Sequence, residues 1–246
     1  FSKNIRLNIK LIDTLFDHPE WFHDGLRIAS SYGAFYPSLW NGGRNILGQT
    51  DDTIIRPIIK AYNDRGVPVR FTFTNLMLTE KHLSDEFCNK QLELANNGLN
   101  EVIIASDLLE NYIREKYPKY KLTSSTCKQI EDVEELKKEL EKDYYLVVLD
   151  YNLNHEMEIL ESLPHKEKCE ILVNACCVPN CKLRGAHYRA IGQEIIDYDE
   201  WIKNPMNKSI PYKCNMFECP NVQQSVYDDN QYKTRISPTD ILEKFI

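Results

Sequence analysis

Eight cysteines occur in a chain of 246 residues, and six of them fall in its last third: Cys169, Cys176, Cys177, Cys181, Cys214 and Cys219. Cys177 and Cys181 are three residues apart within NACCVPNCKLRGAHY (174–188), directly after a strand-like run. Cys214 and Cys219 are four apart within YKCNMFECPN. Two close pairs with 32 residues between them can converge as four thiolates around one metal centre. Thiolates are soft ligands that suit a [4Fe–4S] cluster or zinc. The x3 and x4 spacings are looser than the knuckles of zinc ribbons and tilt the reading toward iron–sulfur. Zinc is the alternative, and there it would be structural, because four thiolates leave no open coordination position. Cys176 competes with Cys177 as ligand, since a one-residue shift of the loop exchanges them. Cys88, inside a helical pattern, and Cys169, opening a strand, read as core residues; Cys127, in a loop, fits either role.

Arg184, His187 and Tyr188 follow the cysteines at spacings that place Arg184 and His187 on one helix face beside the metal. They can hold an anionic group or move a proton; the plainer reading is hydrogen bonding that orients the cysteine loop. His187 and Asp150 are the acid–base candidates. The other histidines, His18, His23, His82, His155 and His165, lack ligand spacing and read as surface residues. Arg44 lies in a long loop with Trp40, Asn41, Gly42 and Gly43. Paired glycines permit close backbone approach, and the guanidinium fork suits a carboxylate or phosphate. The alternative is a structural turn whose Trp40 packs on a barrel rim. Asn75, Asn152 and Asn174 stand just past strand-like runs, where they would face substrate, although loops are polar for solvation alone.

The elements that must position these groups alternate. Strand-like runs are IRLNIKL (5–11), LRIASSYGAF (26–35), VPVRFTFT (67–74), EVIIAS (101–106), YKLTSS (120–125), YLVVLD (145–150) and CEILVNA (169–175). Several are nearly continuous runs of β-formers, as in parallel strands buried on both faces. Helical patterns lie between them at 51–66, 84–98 (with Ser84 as N-cap), 107–118 (with Ser106 at the cap) and 131–143. This alternation predicts an α/β chain folded as a (β/α)8, TIM-barrel-like single domain over 1–246, with a Cys-rich segment at 174–220. Seven strands are visible. The eighth is either missing, leaving an open barrel that could take a partner chain, or beyond residue 246. In such a barrel the working site forms at the carboxyl ends of the strands.

Composition narrows the class. The net charge is -7, with 42% hydrophobic and 27% charged residues, ordinary for a globular protein, and the acidic balance gives no support to a nucleic-acid partner. No apolar run is long enough for a membrane span, and the first residues carry no signal-peptide pattern, so the expectation is a reducing, cytoplasmic setting with free or metal-bound thiols. Neither GxGxxG nor GxxxxGK[ST] occurs, so the common nucleotide-binding loops are unsupported.

NACCVPNCKLRGAHY resembles the collagenase-like peptidase family, number thirty-two among peptidases of unknown catalytic type. SSYGAFYPSLWNGGR (30–44), RFTFTN (70–75) and YKTRISPTDILEKF (232–245) are similar to further stretches of that family. The resemblance implies a (β/α) barrel with, in several branches, a four-cysteine [4Fe–4S] cluster at its mouth, and an eighth strand after residue 246. Family members are named peptidases, yet other branches hydroxylate ubiquinone precursors or RNA bases without oxygen. Neither Ser-His-Asp nor HExxH occurs here as a protease site. The reading is therefore a metal-dependent barrel enzyme acting by redox or hydroxyl transfer on a small molecule or an exposed substrate group. Cys177, Cys181, Cys214 and Cys219 would hold the cluster, with Arg44, Asn75, Asn152, Asn174 and Arg184 on the substrate. A hydrolase or peptidase with structural zinc, and a non-catalytic binding module, are the alternatives.

Overall fold

The computed structural model describes residues 1, 4–43, 48–175, 177–204, 206 and 235–245. Helix α1 (Ile5–Asp17) opens the chain. Six strands follow, β1 (Ser31–Gly33), β2 (Val69–Phe73), β3 (Glu101–Ile104), β4 (Lys121–Ser124), β5 (Leu146–Val148) and β6 (Cys169–Glu170). Between them run α2 (Asp52–Asn63), α3 (Glu86–Ala95), α4 (Asp107–Lys116), α5 (Val133–Glu141) and α6 (Met157–Ser162). The long helix α7 (Arg184–Lys203) comes after β6. A short helical turn at 238–245 follows Arg235, which pairs with Asn174 in an antiparallel bridge.

The strands form one sheet in chain order, and every neighbouring pair is parallel. Side chains show that the sheet curls. β2 and β6 are four strand spacings apart, about 19 Å across a flat sheet. Yet Arg70 Nη1 on β2 donates to Glu170 Oε2 on β6 at 2.5 Å. Only a sheet rolled toward itself brings those two side chains together, so the architecture is a parallel half-barrel of TIM-barrel type. Alternation along each strand then sorts the residues. Val69, Phe71, Phe73, Val102, Ile104, Leu122 and Val147 point outward and are buried under the helices. They meet Ile55, Ile59 and Tyr62 of α2, Leu92 of α3, Leu109 and Ile113 of α4, and Leu136 and Leu140 of α5 in one core. Arg70, Thr72, Glu101, Ile103 and Glu170 point inward.

Three expectations need correction. Among the described residues six strands form, not seven: residues 5–11 are the start of α1. The alternation of Ile5, Leu7, Ile9 and Leu11 mimics a strand, but Ile5, Ile9 and Ile12 also recur at helical spacing. That face wins, because it packs on the core while Leu7 and Leu11 stay exposed. Asn8 fixes the helix on α2 by donating to the Tyr62 hydroxyl at 2.8 Å, and Arg65 grips Asp13. The cap of α3 is Asp85, whose carboxylate accepts from the Cys88 amide at 2.8 Å, rather than Ser84. The Ser106 side chain makes no capping bond at α4. Among the described residues no helix is long and apolar enough to cross a membrane.

Candidate functional site

The carboxyl ends of the strands open into a cavity of about 430 Å³. Its sides come from Gly33 at the end of β1, Thr74 after β2, Ser125–Cys127 after β4, Tyr151 after β5 and Leu172, Asn174 and Ala175 after β6. Helix α7 closes it: Arg184, His187, Tyr188 and Ile191, at steps of three, one and three, all face the cavity. Of the sequence candidates, Asn174, Cys177, Arg184 and His187 line it together.

Cys177 sits half-buried between Tyr151 and Cys181. Burial pushes the Cys177 thiol above its ordinary value, and the neighbouring Tyr151 hydroxyl works the other way. Cys177 lines the cavity, and the second thiol of the Cys-x3-Cys step, Cys181, is its neighbour. Among the described residues no group of three or more His, Cys, Asp or Glu converges as a metal site. Cys214 and Cys219, and the competing Cys176, lie outside the described residues, as does Arg44. The donor chemistry that is described, two adjacent thiols, fits half of a four-thiolate set.

Asp150 and Arg184 meet as an ion pair that is almost completely withdrawn from solvent. Arg184 Nη1 donates to Asp150 Oδ1 at 3.1 Å, and Nη2 donates to Asp150 Oδ2 and, at 3.0 Å, to Glu131 Oε1. Its Nε donates to Gln129 Oε1 at 3.4 Å, and the guanidinium stacks 4.5 Å from the Tyr151 ring. Burial opposes the Arg184 charge, but its bonds and attraction to Asp150 outweigh this and hold it above its ordinary value. Four N–H directions are thus spent on protein acceptors. Asp150 also caps the turn after β5 by accepting from the Asn152 amide at 2.9 Å. The pair pins the start of α7 to the end of β5 and so sets where His187 and Tyr188 stand. Burial lowers His187, which keeps its imidazole neutral at pH 7.

Asn75 and Asn152 support the walls from outside the cavity. Asn75 is fully buried; its Nδ2 donates to the Leu39 and Gly192 carbonyls at 2.9 and 3.2 Å, and its Oδ1 accepts from the Met77 amide. It ties the loop after β1 to the middle of α7. Asn152 donates from Nδ2 to Glu131 and accepts from the Asn180 amide at 3.0 Å, holding the cysteine loop. The paired glycines serve the same corner. A Cβ on Gly42 would stand 2.5 Å from the Thr74 carbonyl, so the close approach that they allow is to the chain's own backbone. Trp40 is fully buried beneath, its Nε1 donating to the His82 carbonyl. His82 is not a surface residue: it is buried, and its Nδ1 accepts from the Thr79 amide at 2.9 Å.

No family model matches the sequence, and no curated protein matches it. Among solved structures, the U32 peptidase Mk0906 is similar, with a TM-score of 0.49 and 14% identity over 79% of this chain and 90% of that one.

Several cavity residues escape a reading by motif. Cys127, buried after β4, faces the cavity beside Ser125 and Thr74, and burial raises its thiol. Tyr32, Thr72 and Glu170 line it from β1, β2 and β6. One signal for the last was present: Arg70, Glu101 and Glu170 are charges inside otherwise apolar strand runs. Charges in strands buried on both faces must find one another, and these do.

Proposed function

We propose that the protein is an enzyme that works on a small molecule, or on a substrate group small enough to enter the cavity, next to a metal centre held by its cysteines. The observation that carries this reading is the meeting of Cys177, Asn174, His187 and Tyr188 at the carboxyl ends of a parallel half-barrel. That is where barrels of this kind assemble catalytic groups. Cys177 and Cys181 would supply two ligands, and Cys214 and Cys219 the other two. A [4Fe–4S] cluster bound there would supply electrons one at a time, the chemistry that a redox or hydroxyl transfer needs.

This chain's own residues would do the rest. His187, neutral through burial, can accept a proton from a substrate at its unprotonated ring nitrogen or return one from its cationic form. Tyr188, whose hydroxyl burial holds protonated, can donate a hydrogen bond to a developing negative charge. Asp150 and Arg184 position both through α7 and touch no reacting atom in this scheme. A hydrolase in which Asp150 serves as general base draws no support from a carboxylate held on both oxygens by Arg184.

Replacement of Cys177 or Cys181 by serine tests the assignment. In protein purified without oxygen, either change should remove bound metal and visible absorption, whereas Cys169→Ser, on β6, should leave both. Retention of full metal content in Cys177→Ser and Cys181→Ser would remove these thiols from the site.

A further inference from the structure

The floor of the cavity carries a charge imbalance that the cysteine chemistry does not use. Arg70 on β2 is buried, and it serves two carboxylates. Its Nε donates to Glu101 Oε2 at 2.7 Å, and its Nη1 donates to Glu170 Oε2 at 2.5 Å. Glu101 is as deeply buried as the arginine, with 4% of its side chain exposed, but Glu170 keeps 33% and lines the cavity. Lys121 acts on Glu101 from the amino ends of the strands, with its ammonium 4.4 Å from the exposed Tyr145 ring, on the side away from the cavity. Elsewhere on the wall the Arg184 charge is met by Asp150 and Glu131. Among the described residues the floor of the cavity therefore sets two carboxylates, Glu101 and Glu170, against the one guanidinium of Arg70. Among the described residues Arg70 is the side-chain partner of Glu170, bound through Oε2.

Apolar side chains share the cavity with Glu170. Ile103, Val148 and Leu172 line the cavity with it, and Val148 is its register partner on β5. An under-neutralised carboxylate in such walls attracts a positive hydrogen-bond donor more strongly than it would in water. On the reading that this cavity is the substrate site, we infer that Glu170 is its specificity-determining residue. It would select a small organic amine, with the ammonium group on Glu170 and an apolar body against Ile103, Val148 and Leu172.

Three probes of one shape test this: phenethylamine, 2-phenylethanol and 3-phenylpropanoate, titrated at pH 7 into the purified full chain and followed by ligand-observed NMR. The amine should bind about tenfold tighter than the alcohol, the scale of one charge-assisted hydrogen bond, and the carboxylate weakest. Glu170→Gln should erase that preference and Glu170→Asp should retain it. Arg70 keeps Glu101 in both variants, and an unfolding curve checks that each is folded. Val148→Phe should block all binding by filling the space beside Glu170. The wild-type ranking needs no variant. Equal binding of the amine and the alcohol, blocked by Val148→Phe, would overturn the role of Glu170 and leave the cavity as the ligand site. Binding of no probe, or binding indifferent to Val148→Phe, would overturn both.

Discussion

Asp150 and Arg184 face each other with almost no solvent, and each needs the other for that reason. Truncating one member of a buried pair strands the partner's charge, at a cost of about 3–5 kcal/mol. Arg184→Ala and Asp150→Ala should both destabilise by that order in urea unfolding. The double variant should lose less than the sum of the two, because no unpaired charge is left behind. His187 sets a pH dependence. Burial lowers it below its ordinary 6.5, so the folded chain binds fewer protons than the unfolded one just below that pH. Stability from the neutral ring is full above pH 6.5 and is lost as pH falls through the lowered folded value. Buried His82 is lowered too and adds to the same window. The unfolding midpoint of His187→Gln should therefore fall less between about pH 7 and pH 5 than that of the parent. An equal fall in both would show that the His187 ring is not shifted by folding. At this scale the sequence was partly legible. The step from Arg184 to His187 announced a shared helix face. That Arg184 is occupied by Asp150, Glu131 and Gln129 was hidden, because those partners lie 34 to 55 residues away.

Elements in this fold are placed by contacts that leave no room for a methyl group. A Cβ on Gly192, in the middle of α7, would overlap Asn75 Oδ1, and one on Gly42 would meet the Thr74 backbone at 2.5 Å. Alanine at position 192 would raise helix propensity by about 1 kcal/mol. Overpacking costs about 1–3 kcal/mol. It should win, since Asn75 is held by three hydrogen bonds and cannot step aside. Gly192→Ala should thus lower the unfolding midpoint, while Gly185→Ala, whose new Cβ comes closest to the flexible Gln129 end at 3.1 Å, should be milder. The four helices between residues 51 and 143 were readable because their apolar faces are local. The first element was not. The spacing of Ile5, Leu7, Ile9, Leu11 and Ile12 satisfies both periods, and only packing against α2 decides between them.

For the whole molecule, the parallel half-barrel follows from strands that alternate with helices and pair in chain order. What the sequence could not show was how far the sheet rolls. That is fixed by Arg70, which reaches across from β2 to β6. Arg70→Met should cost about 3–5 kcal/mol by leaving Glu101 and Glu170 unpaired inside the barrel. Adding Glu101→Gln and Glu170→Gln to it should recover part of that loss, because the stranded charges are then gone. A further loss with each added change would mean that the carboxylates stabilise the fold apart from Arg70. The same rolling brings the ends of the strands under α7, where the cysteine loop meets the cavity. The metal content of the intact chain tests the proposed cysteine centre most directly. Iron, acid-labile sulfide and zinc should be measured per chain in protein purified without oxygen, together with an absorption spectrum. The predicted result is about four iron and about four sulfide, with a broad band near ~400 nm. One zinc without iron would make the cysteines a structural clasp and remove the redox reading. Protein never exposed to air that holds neither iron nor zinc would contradict a cysteine-held metal centre altogether.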